Sequence, residues 1–157
     1  DLGSDPLDYM GDCWEVFAEF FFKFFNGDHT LTYTTDYEPN TTSVDIGIDA
    51  TGKSTLDSMM CAIQNKFKAD PTEYLTSKNT PNLSNITTDL MFNYPEFKYN
   101  GKNVILFTSC LGPHPNHPMI GCHCIDRVKI ARRVDGNVEF WEDFKRVIME
   151  TTENLNG

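Results

Sequence analysis

The stretch from Met119 to Val147 constrains the fold more than any other part of the sequence. It consists of MIGCHCIDRVKIARRVDGNVEFWEDFKRV, in which Asp135-Gly136 separates two segments of alternating apolar and polar residues. An Asp-Gly pair between such segments is a strong signal for a two-residue hairpin turn. We therefore predict two long antiparallel strands joined at Asp135-Gly136, the second of them ending in an acidic and aromatic run.

A second hairpin is predicted at Asn100-Gly101, between a strand from Ile86 to Tyr99 and a strand from Asn103 to Leu111. Two such hairpins in succession predict an antiparallel meander of four strands in the second half of the chain. The strongest turn signals of the sequence therefore favour a largely antiparallel sheet.

The first half of the chain contains two predicted helices. The first begins at Asp5-Pro6 and runs to Phe25, because Asp is a favoured cap and Pro a favoured first helical residue. Its aromatic residues recur at helical spacing, which indicates a helix buried in the core. The second predicted helix, from Thr55 to Lys68, carries its apolar residues in one stripe.

Short strands at 30–36 and 43–48 and a polar loop at 70–84 complete the predicted organisation. Helices segregated from an antiparallel sheet are typical of the α+β class. The chain has 157 residues, of which 39% are hydrophobic, so it is long enough for one domain with a substantial core. We therefore predict a single α+β domain spanning 1–157.

The charge balance argues against two classes of partner. The formal net charge is -10, whereas nucleic acids and anionic membranes both require a cationic surface. No apolar run approaches the roughly 20 residues that cross a bilayer. The acidic first residues lack the apolar run of a secretory signal, so we expect a cytoplasmic chain. Glycosylation sequons at Asn40, Asn82 and Asn85 leave secretion open.

Residues 47–54, GIDATGKS, match the phosphate-loop pattern G-x-x-x-x-G-K-[ST] and resemble the loop of thymidylate-kinase-like nucleotide kinases. A kinase core needs parallel strands joined by long crossovers. The predicted two-residue hairpins instead require antiparallel pairing. We therefore expect an ordinary turn and helix start at Gly52-Lys53, and a nucleotide kinase is the least favoured hypothesis.

Side chains that can bind zinc gather in one short region: Cys110, His114, His117, Cys122, His123 and Cys124. A single residue separates the last two cysteines, whereas structural zinc sites usually have about two to four residues between ligands. Free cysteine is also a common buried residue. We expect no metal, and a disulfide from Cys110 to Cys122 or Cys124 stays open for an oxidising compartment.

Carboxylates fall among apolar residues in both strands of the predicted closing hairpin. Asp126 shares alternate positions with Cys122, Cys124 and Ile130, where desolvation would raise its pKa toward the range of a general acid or base. A structural ion pair with an arginine across the sheet explains Asp126 as well, and is slightly favoured. For Glu139 and Asp143 in the second strand, the corresponding structural explanation is a position at a solvated end of the sheet.

Four motifs follow one another in an order that is typical of a known family. They are FFNGD at 24–28, Gly52-Lys53 before the second predicted helix, the Asn-Gly hairpin, and the closing VKIARRVDGNVEFWEDF. In this order they resemble the nuclear transport factor 2-like superfamily, especially its SnoaL-like branch, over nearly the whole chain. The resemblance implies a cone-shaped, strongly curved antiparallel sheet wrapped around the N-terminal helices, a cystatin-like roll, with an apolar pocket and often a homodimer through the sheet.

The resemblance also implies a function. Members include polyketide cyclases, ketosteroid isomerases and dehydratases, which transfer protons in an apolar pocket without a cofactor. The cyclases carry an Asp four residues after the hairpin Trp; here Lys145 stands there, so Asp143 would be the base. Asp126 is the alternative base, and His123 or Tyr33 would donate a hydrogen bond. The expected substrate-binding residues are Trp14, Phe17, Phe21, Trp141 and Glu139.

We therefore expect a pocket for a hydrophobic small molecule, with cofactor-free isomerase, cyclase or lyase chemistry as the favoured function. The alternative is a non-catalytic ligand-binding or dimerisation module of the same fold. Unpaired carboxylates inside a closed pocket would favour the enzyme, whereas a pocket filled by the chain's own phenylalanines would favour the module.

Overall fold

The computed structural model describes residues 6–40, 47–76, 86–119 and 121–156. The elements in chain order are α1 (Pro6–Phe24), β1 (Thr34–Pro39), β2 (Ala50–Ser54), β3 (Met60–Lys66), α2 (Ile86–Asn93), β4 (Val104–Thr108), β5 (His123–Ile125), α3 (Arg127–Val134) and α4 (Val138–Asn156). The five strands form one sheet in the order β1-β2-β3-β4-β5. The predicted α+β class is confirmed.

The sheet is mixed rather than antiparallel throughout. Strands β1, β2 and β3 pair antiparallel, whereas β4 runs parallel to both β3 and β5. A parallel pair needs a crossover connection, and α2 lies within the connection from β3 to β4. The expected all-antiparallel sheet is therefore wrong. The sheet is open, with β1 and β5 at its edges, and the cone shape is not confirmed.

Helix α1 is confirmed, and its aromatic face covers one side of the sheet. Phe21 and Phe22 are fully buried, and the Phe21 ring centroid lies 5.1 Å from that of Phe107 in β4. The Phe22 ring stacks on Tyr37 of β1 at 4.8 Å. One helix therefore contacts both an edge strand and an inner strand of the sheet.

The helix predicted from Thr55 to Lys68 is wrong, because this segment forms a tight turn followed by β3. In the turn, the Asp57 side chain accepts a hydrogen bond from the Met59 backbone N–H at 2.9 Å. The buried residues of β3 occupy both faces: Ile63 packs in the core beneath α1, and Ala62 packs in a second core with α2. A strand covered on both faces lacks polar alternation, so its pattern resembles that of a helix.

The predicted hairpin at Asp135-Gly136 is also wrong, because this dipeptide connects α3 to α4. Gly136 has φ +74°, a left-handed conformation that commonly ends a helix. The side chain of Asp126 caps α3 by accepting from the Lys129 N–H at 3.0 Å. The side chain of Asn137 accepts from the Phe140 N–H at 3.1 Å at the start of α4.

The hairpin predicted at Asn100-Gly101 is wrong for a similar reason, because the segment before it forms α2 and a loop. The Asn100 amide donates to Ser54 Oγ and to Asp57 Oδ2, each at 3.0 Å. These bonds fasten the loop to the turn between β2 and β3. The Asn-Gly pair therefore stabilises a long-range contact instead of joining two neighbouring strands.

Some sequence expectations lie partly or wholly outside the described residues. The predicted strand at 43–48 is described only from residue 47, and the loop at 70–84 only as far as residue 76. The sequons at Asn82 and Asn85 also lie outside the described residues. The strand predicted at 30–36 is observed as β1, which begins at Thr34.

The phosphate-loop match lies on a strand. Residues Ala50–Ser54 form β2 instead of a glycine loop that leads into a helix, so the segment lacks the geometry that holds a phosphate. Gly52 has a packing role, since a Cβ there would lie 2.6 Å from Thr34 Cγ2 and 2.8 Å from the Thr35 carbonyl oxygen. The Lys53 ammonium lies 3.7 Å from Asp36 at the surface.

We predict that Gly52→Ala lowers the free energy of unfolding by about 1–3 kcal/mol, because the added methyl meets backbone that cannot move freely. Urea denaturation measures the change. The matched control is Gly11→Ala in α1, where a Cβ meets nothing within 4 Å. The control should be stabilised by about 0.5–1 kcal/mol through helix propensity. Equal effects of the two substitutions would contradict the packing role of Gly52.

We predict that Phe140→Ala lowers the free energy of unfolding by about 3–5 kcal/mol, because Phe140 is a fully buried ring of α4. Its ring centroid lies within 6.2 Å of those of Phe17, Phe20, Phe21, Phe24 and Phe25. The control Val138→Ala, 65% exposed on the same helix, should change stability by less than about 0.5 kcal/mol. If Phe140→Ala lowers the free energy of unfolding by less than about 1 kcal/mol, as a typical surface substitution does, then α4 does not dock on α1.

Candidate ligand-binding site

An apolar pocket of about 470 Å³ lies between the first half of α1 and the second half of α4. We call it the apolar pocket. Its wall includes Trp14 and Phe17 from α1, Phe67 from the segment after β3, and Phe144 and Ile148 from α4. The remaining lining residues are apolar or uncharged: Tyr9, Met10, Cys13, Val16 and Thr151. No charged side chain lines it among the described residues, so it suits an apolar molecule.

The aromatic wall of the apolar pocket is fixed by the core behind it. The Trp14 ring stacks on Phe17 at 5.2 Å and on Phe107 at 5.0 Å between centroids. Its indole N–H donates to the Phe107 carbonyl oxygen at 3.4 Å. Because both the ring and the N–H of Trp14 are engaged, the wall is held in one arrangement before any ligand arrives.

A polar pocket of about 580 Å³ adjoins the apolar pocket, and Trp14 and Phe67 line both. Its charged lining residues are Asp12, Glu15, Lys66, Lys68 and Glu73, and the Asn65 side chain also lines it. Burial raises the pKa of Glu15, and the negative charges of Asp49 and Asp12 raise it further. Burial and these two carboxylates therefore all favour the neutral form of Glu15.

Tyr33 and His123, both predicted as hydrogen-bond donors, meet at a separate place beside β5. Their rings are perpendicular, with centroids 5.2 Å apart. The Leu31 carbonyl oxygen lies 2.7 Å from His123 Nε2, so Nε2 carries the proton and donates, and Nδ1 is left as an acceptor. The Lys102 ammonium lies 5.3 Å from the centre of the Tyr33 ring. Neither Tyr33 nor His123 lines the apolar or the polar pocket.

The predicted carboxylates have other partners or positions. Asp126 caps α3, and Asp143 forms a salt bridge with Arg146 one turn along α4 at 3.2 Å. Glu139 is exposed in the first turn of α4. None of these three acids lines the apolar or the polar pocket.

The predicted aromatic residues have three different environments. Trp14 and Phe17 line the apolar pocket, whereas Phe21 lies wholly in the core. Trp141 stacks on Phe17 at 6.3 Å, and its indole N–H donates to the Val134 carbonyl oxygen at 2.7 Å. Phe67, Phe144 and Ile148 were not predicted. The spacing of four residues from 140 to 144 to 148 is a helical signal that would have found the last two.

The thiols are free, and all except the exposed Cys13 are partly or fully buried. Each of the five cysteines is unpaired, and burial raises the pKa of Cys122 to about 11 and that of Cys124 to about 12. Thiols with such pKa values react slowly at neutral pH. In the part of the chain that the structure describes, no three His, Cys, Asp or Glu side chains converge as metal ligands.

No protein-family model, no curated protein and no solved structure matches this chain. Among the described residues, no helix is both long enough and apolar enough to cross a membrane.

We predict that His123 titrates below the usual histidine value of 6.5, because burial is the largest influence on its pKa and disfavours the charged ring. A lowered folded-state pKa means that the unfolded chain binds the proton first. The His123 contribution to stability is therefore complete above pH 6.5 and is lost as the pH falls toward the folded-state pKa. Histidine NMR titration measures the midpoint.

The matched variant is His123→Gln, whose amide nitrogen can still donate to the Leu31 carbonyl oxygen but does not titrate. As the pH is lowered from about 7 to about 5, the range in which histidine titrates, wild type should lose free energy of unfolding relative to this variant. Parallel stability curves for the two proteins would show that His123 is not desolvated.

Proposed function

We propose that the chain binds a hydrophobic small molecule in the apolar pocket without transforming it. One observation carries this proposal: the pocket has an aromatic wall, a volume of about 470 Å³ and no charged lining residue among those described. Ligand pockets typically enclose roughly 300–1,000 Å³ and have mainly apolar walls with a few polar groups. The polar groups here are the Tyr9 and Thr151 hydroxyls and the Cys13 thiol.

The energetics are adequate for specific binding. A ligand that buries about 200 Å² of apolar surface gains on the order of 5 kcal/mol at roughly 25 cal/mol per Å². Because Trp14 is already stacked and hydrogen-bonded, little ordering of the wall opposes this gain. A gain of about 5 kcal/mol corresponds to a dissociation constant of roughly 0.2 mM, so a ligand that buries more apolar surface is expected to bind more tightly.

Binding is favoured over catalysis because no carboxylate or histidine lines the apolar pocket among the described residues. A general acid or base must lie within hydrogen-bond reach of the proton that it transfers. Asp126, Asp143 and His123 do not line the apolar pocket, so none of them is in position to act on a molecule bound there. This supports the ligand-binding alternative to the isomerase, cyclase or dehydratase hypothesis.

A second candidate, cofactor-free acid/base chemistry, is supported by the contact of Tyr33 with His123. The Leu31 carbonyl fixes the histidine tautomer, and the free Nδ1 is a potential base. Membership of the nuclear transport factor 2-like superfamily, with its cone and sheet dimer, remains a proposal tied to this candidate. The acid/base candidate is tested by following the exchange of the α-protons of 2-tetralone in D₂O by NMR. The exchange rate with wild type should exceed the rate with His123→Gln, and equal rates would refute this candidate.

We predict that Ile148→Asp weakens binding of a neutral fluorescent probe such as N-phenyl-1-naphthylamine by at least about tenfold, because a carboxylate would be desolvated in the apolar pocket. The matched control is Met149→Asp on the same helix, which does not line this pocket. The two side chains are similarly exposed, 44% and 52%, so neither substitution should unfold the protein.

Fluorescence titration and thermal denaturation of the three proteins decide the matter. Met149→Asp should bind the probe within about twofold of wild type, since it leaves the pocket wall intact. If wild type does not bind the probe, or if both variants lose the same affinity at unchanged stability, the apolar pocket is not the binding site.

A further inference from the structure

The apolar pocket has two unlike ends, because α1 and α4 run antiparallel along it. The Phe24 ring centroid lies 5.2 Å from that of Phe140, and the Phe17 ring centroid lies 5.5 Å from that of Phe144. Residues nearer the start of α1 therefore lie beside residues nearer the end of α4. One end of the pocket is formed by Phe17 and Phe144, and we call it the aromatic end.

The opposite end, which we call the hydroxyl end, is lined by Tyr9 near the start of α1 and Thr151 near the end of α4. Tyr9 is 46% exposed and Thr151 is also exposed, whereas Phe17 and Phe144 are partly buried. Water therefore reaches the hydroxyl end more readily than the aromatic end. A ligand with an apolar body and one polar group would lie with its body at the aromatic end and its polar group between the two hydroxyls.

The lining of the apolar pocket favours a neutral polar group over a charged one. No charged side chain lines this pocket among the described residues. A carboxylate or an ammonium group drawn into it would lose solvation without meeting an opposite charge. The net charge of -10 adds an unfavourable potential for an anion. The polar group of a well-fitted ligand is therefore uncharged.

The hydrogen bonds at the hydroxyl end determine which neutral group fits. The Thr151 hydroxyl donates to the Val147 carbonyl oxygen at 2.9 Å, so its oxygen is left as an acceptor. A hydrogen bond with the Cys13 side chain raises the pKa of the Tyr9 hydroxyl, which therefore keeps its proton at neutral pH. Because a thiol is only a weak acceptor, this hydroxyl can donate to a better one.

A ligand at the hydroxyl end therefore meets one acceptor, on Thr151, and one donor, on Tyr9. An alcohol satisfies both, because its hydroxyl group donates one hydrogen bond and also accepts. An ether, a ketone or a carboxylate can only accept, so each of them leaves the Thr151 oxygen without a donor from the ligand.

We propose, resting on the proposed ligand-binding function, that the ligand is a neutral alcohol with an extended apolar body. The body packs against Phe17 and Phe144 at the aromatic end. The alcohol hydroxyl lies at the hydroxyl end, where it donates to Thr151 Oγ1 and accepts from the Tyr9 hydroxyl. The same arrangement disfavours a fatty acid, which at neutral pH is an anion and has no proton to donate.

The test compares decanol with its isomer methyl nonyl ether and with decanoate. Each displaces the bound N-phenyl-1-naphthylamine probe at neutral pH, below its solubility limit or micelle concentration. We expect decanol to bind about threefold to tenfold more tightly than the ether, through one additional hydrogen bond. Without an acceptor in the pocket the ether would bind at least as tightly, because only the alcohol gives up a hydrogen bond that it donates to water. Decanoate should bind most weakly.

Two variants separate the two hydrogen bonds. Thr151→Val removes the acceptor, so it should abolish the preference for decanol and leave the affinity for the ether within about twofold of wild type. Tyr9→Phe removes a donor that both ligands share, so it should weaken decanol and the ether by the same factor, about threefold. The matched control is Thr88→Val, an exposed threonine of α2 that does not line the apolar pocket.

The control variant should keep the wild-type preference, and thermal denaturation checks that each variant is folded. Equal binding of decanol and the ether, or a preference that survives in Thr151→Val, would overturn the proposed alcohol contact while the proposed function stands. Tighter binding of decanoate would overturn it in favour of an anionic ligand. If the probe binds but none of the three ligands displaces it, the extended alcohol is also overturned. If wild type does not bind the probe, the proposed function itself fails.

Discussion

The fold depends on the aromatic packing of α1, which contacts the sheet and the last helix at the same time. The Phe21 ring lies 5.1 Å from Phe107 of β4 and 6.2 Å from Phe140 of α4 between centroids. Phe107 belongs to the middle strand of the parallel set, and Phe140 follows it by a long stretch of chain. These contacts therefore join the first helix to the last, and most of the core forms around them.

Sequence signals predicted α1 because every local cue agreed with its final environment. A cap, a proline at the helix start and aromatic residues at helical spacing all indicated a buried helix. The region that forms α3 and α4 carried conflicting cues. Alternation around Asp126 indicated a strand, whereas Asp126 and Asn137 are good caps and Ile130 and Val134 are spaced by four residues. Contacts with residues distant in the sequence determine whether such a segment forms a strand or a helix, and the local pattern does not contain those contacts.

The candidate site was predictable only where it belongs to α1. Trp14 and Phe17 followed from the helical spacing. Phe144 was assigned to a strand and Ile148 lay beyond the predicted hairpin, so the face that they share on α4 was missed. The polar pocket combines α1 with the end of β3 and the segment after it, and no local pattern relates these two parts of the chain. Tyr33 and His123 were selected for their chemistry, and their contact arises only from the sheet that brings β5 beside the end of the first loop.

The position of Trp14 gives α1 a role beyond packing. Its ring is stacked between Phe17 and Phe107, and its N–H is bonded to the Phe107 carbonyl, so it cannot swing aside without breaking core contacts. In the proposed complex, the aromatic wall of the apolar pocket is therefore rigid. A rigid wall discriminates by the shape and polarity of the ligand, because a charge placed against it would be desolvated. Selectivity would then follow from the same ring stacking that holds α1 on the sheet.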